Sequence, residues 1–163
     1  MGTVRSAVEA VPAGFGTVRR SAGQRVLVIF VLYEPDDSRG SFMNLKILDG
    51  SFCVCKVQSA SDIPWEETDV FAAKTETECS LVCRESVAPD HCLEKEPGWR
   101  CFRVEGPLDF SLVGILARIS GVLAEAQIPL FAVSTFDTDY ILVRSERFAE
   151  AKAVLEKNGD RFL

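Results

Sequence analysis

Histidine is almost absent: His91 is the only one in the 163 residues, in the polar stretch "PDHC" beside Cys92. No Cys–His dyad, P-loop, GxSxG or GxGxxG pattern accompanies it, so the usual signatures of nucleophilic and nucleotide chemistry are missing. There are six cysteines but no CxxC pair, which removes zinc-ribbon and thioredoxin-like spacings. Cys53/Cys55 and Cys79/Cys83 are each separated by an even number of residues, so within strands each pair shares one face. Buried, reduced cysteines acting as small hydrophobes are expected. The alternatives are disulfides, which need an oxidising compartment, or a metal site completed by His91.

Long apolar runs are also lacking. The longest, "VLVIFVLY" from Val26 to Tyr33, has eight residues, far below the ~20 needed to cross a bilayer. No A-x-A-like cleavage site follows it. Excess basic charge is missing too: the net charge is -6, which argues against nucleic acid as the main partner. A soluble, cytoplasmic protein without membrane or nucleic-acid partners is expected, although residues 1–42 could carry a targeting role. Only two methionines occur, Met1 and Met43, and regular patterning starts at the second. Residues 1–42 are therefore expected to be a poorly ordered extension. The hydrophobic content of 47% suffices for a core in the remainder.

From Met43 on, "NLKILDGSFCVCKV" reads as two strands around Asp49-Gly50, a pair suited to a tight hairpin turn. "VFAAK" and "CSLVC" read as a hairpin joined by "TETE", and "SASDIPWEETD" has room for no more than a helical turn. "WRCFRVEG" is strand-like. Leu112, Ile115, Leu116, Ile119, Val122, Leu123 and Ala126 then recur at helical spacing, with Ser111 the expected N-cap. "IPLFAVS" and "YILVR" are strands. A second helix is expected from a Ser145 cap, with Phe148, Ala151, Val154 and Leu155 buried and Asn158-Gly159 as its stop. This order is nearly the β-α-β-β-α-β ferredoxin-like unit. The first half reads as a related sheet with reduced helices, and no exact repeat recurs at a fixed period. The expected architecture is α+β, with a first unit at 43–100 and a second at 101–163.

In that topology the turn "STFDTD", Ser134 to Asp139, lies on the sheet edge where the first helix of the second unit begins. A helix N-terminus offers free N–H groups and attracts anions. Asp137 and Asp139 add negative charge beside it, and Gly114, in the first helical turn, would let a ligand reach the backbone. An anion hole beside a carboxylate suits a zwitterion such as a free amino acid. The competing reading is a purely structural turn, because Asp and Thr hydrogen-bond their own backbone.

The stretch "VEGPLDFSLVGILARISGVLAEAQIPLFAVSTFDTDYILV" resembles an ACT domain, the small regulatory amino-acid-binding module, and within that family the CASTOR-like and short stand-alone tandem ACT subgroup. The resemblance implies two ACT-like units with a ligand at an interface between units. By motif match it implies ligand contacts from Gly114 and Ile115, then Thr135, Phe136 and Asp139, with Asp109 and Ser111 on the same loop. CASTOR-like sensors carry four such units and this chain has room for two, so a homodimer is expected. No catalytic domain accompanies the units, and neither catalytic residues, a metal nor a cofactor is expected. The resulting expectation is a non-catalytic amino-acid sensor acting on a regulated protein partner. The alternative is a structural or protein-interaction module with no small-molecule ligand.

Overall fold

A computed structural model of the chain describes residues 42–106 and 114–163. The arm 1–41 and the stretch 107–113, which holds Asp109 and Ser111, lie outside the described residues. The described strands are β1 (Asn44–Ile47), β2 (Phe52–Val57), β3 (Phe71–Lys74), β4 (Cys79–Arg84), β5 (Glu94–Val104), β6 (Leu130–Ser134), β7 (Asp139–Arg144) and β8 (Arg161–Phe162). The described helices are α1 (Ile115–Glu125) and α2 (Phe148–Lys157), with short 3-10 turns at Ala60–Asp62, Glu85–Val87 and Ser145–Arg147.

All eight strands belong to one sheet organised around β5, whose eleven residues make it the longest. One edge of β5 pairs with β2 along its first half and with β1 along its second. The other edge pairs with β7, and β7 pairs with β6. Thus β5 and β6 are parallel with β7 antiparallel between them, as the ferredoxin-like order requires. The three-residue tail "RFL" supplies β8, which runs parallel to β1.

The hairpin expected at Asp49-Gly50 does not form. β1 and β2 do not pair with each other; both run antiparallel to β5, one after the other. Gly50 does take a positive φ of 86°, but it bends a nearly continuous strand and does not reverse it. The Leu48 N–H donates to the Cys101 carbonyl at 3.0 Å, which keeps the chain on β5 through the bend. Long β5 offers enough edge for both segments, so tertiary pairing overrides the local turn preference. The unit boundary expected between residues 100 and 101 falls inside β5.

Alternation places Phe102, Val104, Ile141 and Val143 on one face, where Ile119 and Leu123 of α1 and Ala151 and Leu155 of α2 cover them. The other face carries Phe52, Val82, Cys101 and Leu142. It is buried because the β3–β4 wing folds across it: the Phe71 ring lies 4.6 Å from that of Tyr140. The outer face of β2 and β4 holds Cys53, Cys55, Cys79 and Cys83, covered by loops and 3-10 turns instead of helices. The expected reduction of helices in the first half is therefore observed, and five of the six cysteines are buried, with Cys92 half-buried.

The two wings match in detail. The hairpins β3–β4 and β6–β7 have the same register, Phe71↔Val82 and Phe131↔Leu142, at positions 60 residues apart. In both, a Thr N–H closes the turn onto the carbonyl three residues on, Thr75 to Glu78 at 2.8 Å and Thr135 to Thr138 at 2.9 Å. In both, the closing arginine lies over an aromatic ring: Arg84 over Phe52 and Arg144 over Trp99.

Candidate functional site

The turn between β6 and β7 is held from within and from below. The Thr135 hydroxyl also donates to the Thr138 carbonyl, at 2.9 Å. The Thr138 hydroxyl, nearly buried, donates to the Val104 carbonyl at 2.6 Å. That bond places the turn on the end of β5, at the sheet edge the topology predicts. Asp139 opens β7 opposite Ser134. Its carboxylate accepts from the Ser134 hydroxyl at 2.6 Å. Phe136, at the tip, is 79% exposed.

The described helix α1 starts at Ile115, and the expected Ser111 cap lies outside the described residues. Gly114 occupies the N-cap position with φ 83°, a conformation L side chains rarely adopt, and no side chain of a described residue caps the helix. Its carbonyl accepts the first helical bond, from the Arg118 N–H at 2.8 Å. The Ile115 side chain is buried in the core, so this residue can offer a ligand only its backbone. The first N–H groups of α1 have no partner inside the helix and favour an anion. Ser145 begins a 3-10 turn ahead of α2 instead of capping it, and Arg147 holds the cap position.

The structure thus brings Thr135, Phe136 and Asp139 together in one turn on the end of β5. Gly114 and Ile115 stand at the start of the helix that follows β5, beyond the undescribed stretch containing Asp109 and Ser111. A shallow depression of about 370 Å³ opens at this edge, lined by Arg103, Gly106, Asp137 and Thr138. Of these, Asp137 and Thr138 lie between the expected contacts Phe136 and Asp139, and Arg103 and Gly106 are absent from the sequence-based set. Arg103 pairs with Glu105 at 3.3 Å. The Tyr140 phenol, and then the Glu105 carboxylate, push it further into its protonated form. The outward step of Arg103 in the alternation of "WRCFRVEG" was the available signal.

Among the described residues no group of His, Cys, Asp or Glu side chains is arranged to hold a metal ion. No described helix is long and apolar enough to cross a membrane.

An ACT-domain family model matches residues 94–157, from the first residue of β5 to the last of α2. A crystallised protein of Agrobacterium tumefaciens is 33% identical, with a TM-score of 0.67, and the match covers 76% of this chain and 94% of that one. The chain belongs to the ACT-domain family. The bovine (Bos taurus) protein named cytosolic arginine sensor for mTORC1 subunit 1 is 40% identical to it over 63 residues, 38% of this chain and 19% of that protein. The human (Homo sapiens) protein of the same name matches to the same extent. The chain therefore aligns with about a fifth of the length of these curated relatives. The ligand-free regulatory subunit of aspartate kinase from Thermus thermophilus shares the ACT fold, with a TM-score of 0.51 over 71% of this chain and 96% of that one at 7% identity.

Proposed function

We propose that this ACT protein is a non-catalytic regulatory module that responds to a free amino acid, bound where the Thr135–Thr138 turn meets the end of β5 and the start of α1. The observation that carries the reading is the Thr138–Val104 bond, which fixes a turn rich in carboxylates on that sheet edge. The relatives named as arginine sensors, 40% identical over 63 residues, make a cationic amino acid the first candidate. Their name is also the ground for proposing a cytosolic location and a regulated protein partner.

In this reading Gly114 and Ile115 offer backbone, and Thr135, Phe136 and Asp139 complete the contacts. Asp109 and Ser111 belong to the same proposal by their place in the connecting loop. Asp139 takes the cationic side chain of the ligand, with its remaining lone pairs beside the bond from Ser134. The correspondence of the wings at a 60-residue offset supports a chain of two ACT-like halves sharing β5, with the complete helical pair only in the second.

An amino acid has about ten heavy atoms, and at roughly −0.5 to −0.8 kcal/mol each it binds with about −5 to −8 kcal/mol. That corresponds to a Kd between about 1 and 200 μM. A thermal-shift screen of the twenty amino acids tests the reading, followed by titration calorimetry of Asp139→Asn with L-arginine. The variant removes a charge-assisted bond and is expected to bind about 10- to 100-fold more weakly. Unchanged affinity would remove Asp139 from the site, and a screen without any shift would favour an interaction module that takes no small molecule.

A further inference from the structure

Resting on that reading, we propose that Arg103 and Asp137 read the two charged ends of the amino acid, Arg103 its carboxylate and Asp137 its ammonium. The two side chains line one depression, together with Gly106 and Thr138. Arg103 sits on a strand paired on both edges, opposite Lys46 of β1 and Tyr140 of β7. Its guanidinium is a third exposed and is engaged by Glu105 at 3.3 Å. A guanidinium carries five N–H donors in a planar fork, so donors remain for a carboxylate. Asp137 forms no hydrogen bond or ion pair with a described residue. Its backbone is nonetheless held, because the turn around it is closed by Thr135 and Thr138.

The other two described lining residues do not compete with a ligand. Gly106 brings no side chain, and the Thr138 hydroxyl is committed to the Val104 carbonyl. A simple anion entering the depression meets Asp137, and a simple cation meets Arg103. A molecule carrying both charges on groups joined to one carbon can set each beside its opposite, which is selection by repulsion as well as by attraction. This pair accounts for the α-carboxylate and α-ammonium common to all amino acids and leaves Asp139 for the side chain. Arg103 lies opposite Tyr140 in the register of β5 and β7, and the Tyr140 ring packs on Phe71 of the opposite wing.

Three probes and three proteins test the assignment by calorimetry: L-arginine, L-argininamide and Nα-acetyl-L-arginine, against wild type, Arg103→Gln and Asp137→Asn. Wild type is expected to prefer L-arginine over both derivatives by about tenfold or more. Arg103→Gln is expected to lose about 10- to 100-fold for L-arginine, while binding the amide as wild type does, because the amide never had the carboxylate. Asp137→Asn is expected to show the same pattern with the acetyl derivative. Thermal melts verify that both variants are folded, and Arg103→Lys, which keeps the charge without the fork, substitutes if Arg103→Gln is not. Wild-type discrimination retained in both variants overturns the pair while leaving the amino-acid reading intact. Failure of wild type to bind any of the three probes overturns the reading of a cationic amino acid and the pair with it, and leaves the wider amino-acid reading to the screen.

Discussion

At the scale of single residues, Asp160 and Cys92 show what a buried polar group demands. The Asp160 side chain is fully buried. It accepts two bonds from the Arg118 guanidinium and one from the Met43 N–H at 3.0 Å. These tie α1 to the start of β1. Arg118→Ala leaves the carboxylate buried with a single donor and is expected to cost about 3–5 kcal/mol of stability. Urea unfolding measures this, and a loss below about 1 kcal/mol would show that the pair behaves as a surface ion pair. The Cys92 thiol is pushed up to about 11 from an ordinary value of 9.0, by burial first and then by the Cys55 thiol. The folded chain therefore holds this proton more tightly than the unfolded chain does. The associated stability is intact below pH 9 and is lost as the pH rises towards 11. Urea midpoints followed through that range are expected to fall more steeply for wild type than for Cys92→Ala; parallel curves contradict the assignment. Neither feature was legible in the sequence. Arg118 and Asp160 are 42 residues apart, and the neighbours of Cys92 are set by how loops cover the β3–β4 wing.

At the scale of elements, local pattern carried far where one face of an element is buried and its neighbours are close in sequence. The spacing of Ile119, Val122 and Leu123 identified α1, and the hairpins around "TETE" and "STFDTD" formed as their turn chemistry indicates. It failed at Asp49-Gly50, because the same positive-φ glycine serves a hairpin or a bend, and only the length of β5 decides. It failed again at Ser145, which has the chemistry of a cap, while Arg147 holds the cap position of α2. The 60-residue correspondence escaped notice because it rests on few identities, Phe71/Phe131, Ala72/Ala132, Thr75/Thr135 and Arg84/Arg144, and on register that only pairing reveals. Arg103 was missed for a related reason: its neighbours at the site come from a turn more than 30 residues away. Leu123 is the element-scale probe. It is fully buried beneath α1, and Leu123→Ala is expected to cost about 2–5 kcal/mol through lost burial and the cavity left behind. A denaturant midpoint equal to that of wild type would show that α1 is dispensable to the core.

At the scale of the whole molecule, the β3–β4 wing shares a buried sheet face with the β6–β7 wing, so a ligand at the edge of one is mechanically near the other. Residues 43–163 are expected to fold without residues 1–42, since β1 begins at Asn44; an insoluble or strongly destabilised truncation would show that the arm is part of the fold. A homodimer is the proposed assembly, and light scattering that finds a monomer at tens of micromolar, with or without amino acids, would contradict it. The central claim is that a free amino acid binds at one particular sheet edge. Backbone amide NMR of the 15N-labelled full chain, titrated with L-arginine, tests it most directly. Saturating shifts at Arg103, Gly106, Gly114, Ile115 and Thr135 to Asp139, with the amides of β3 and β4 beyond the Phe71–Tyr140 contact little changed, are the predicted result. No shifts at millimolar L-arginine, or shifts confined to residues away from this edge, would contradict it.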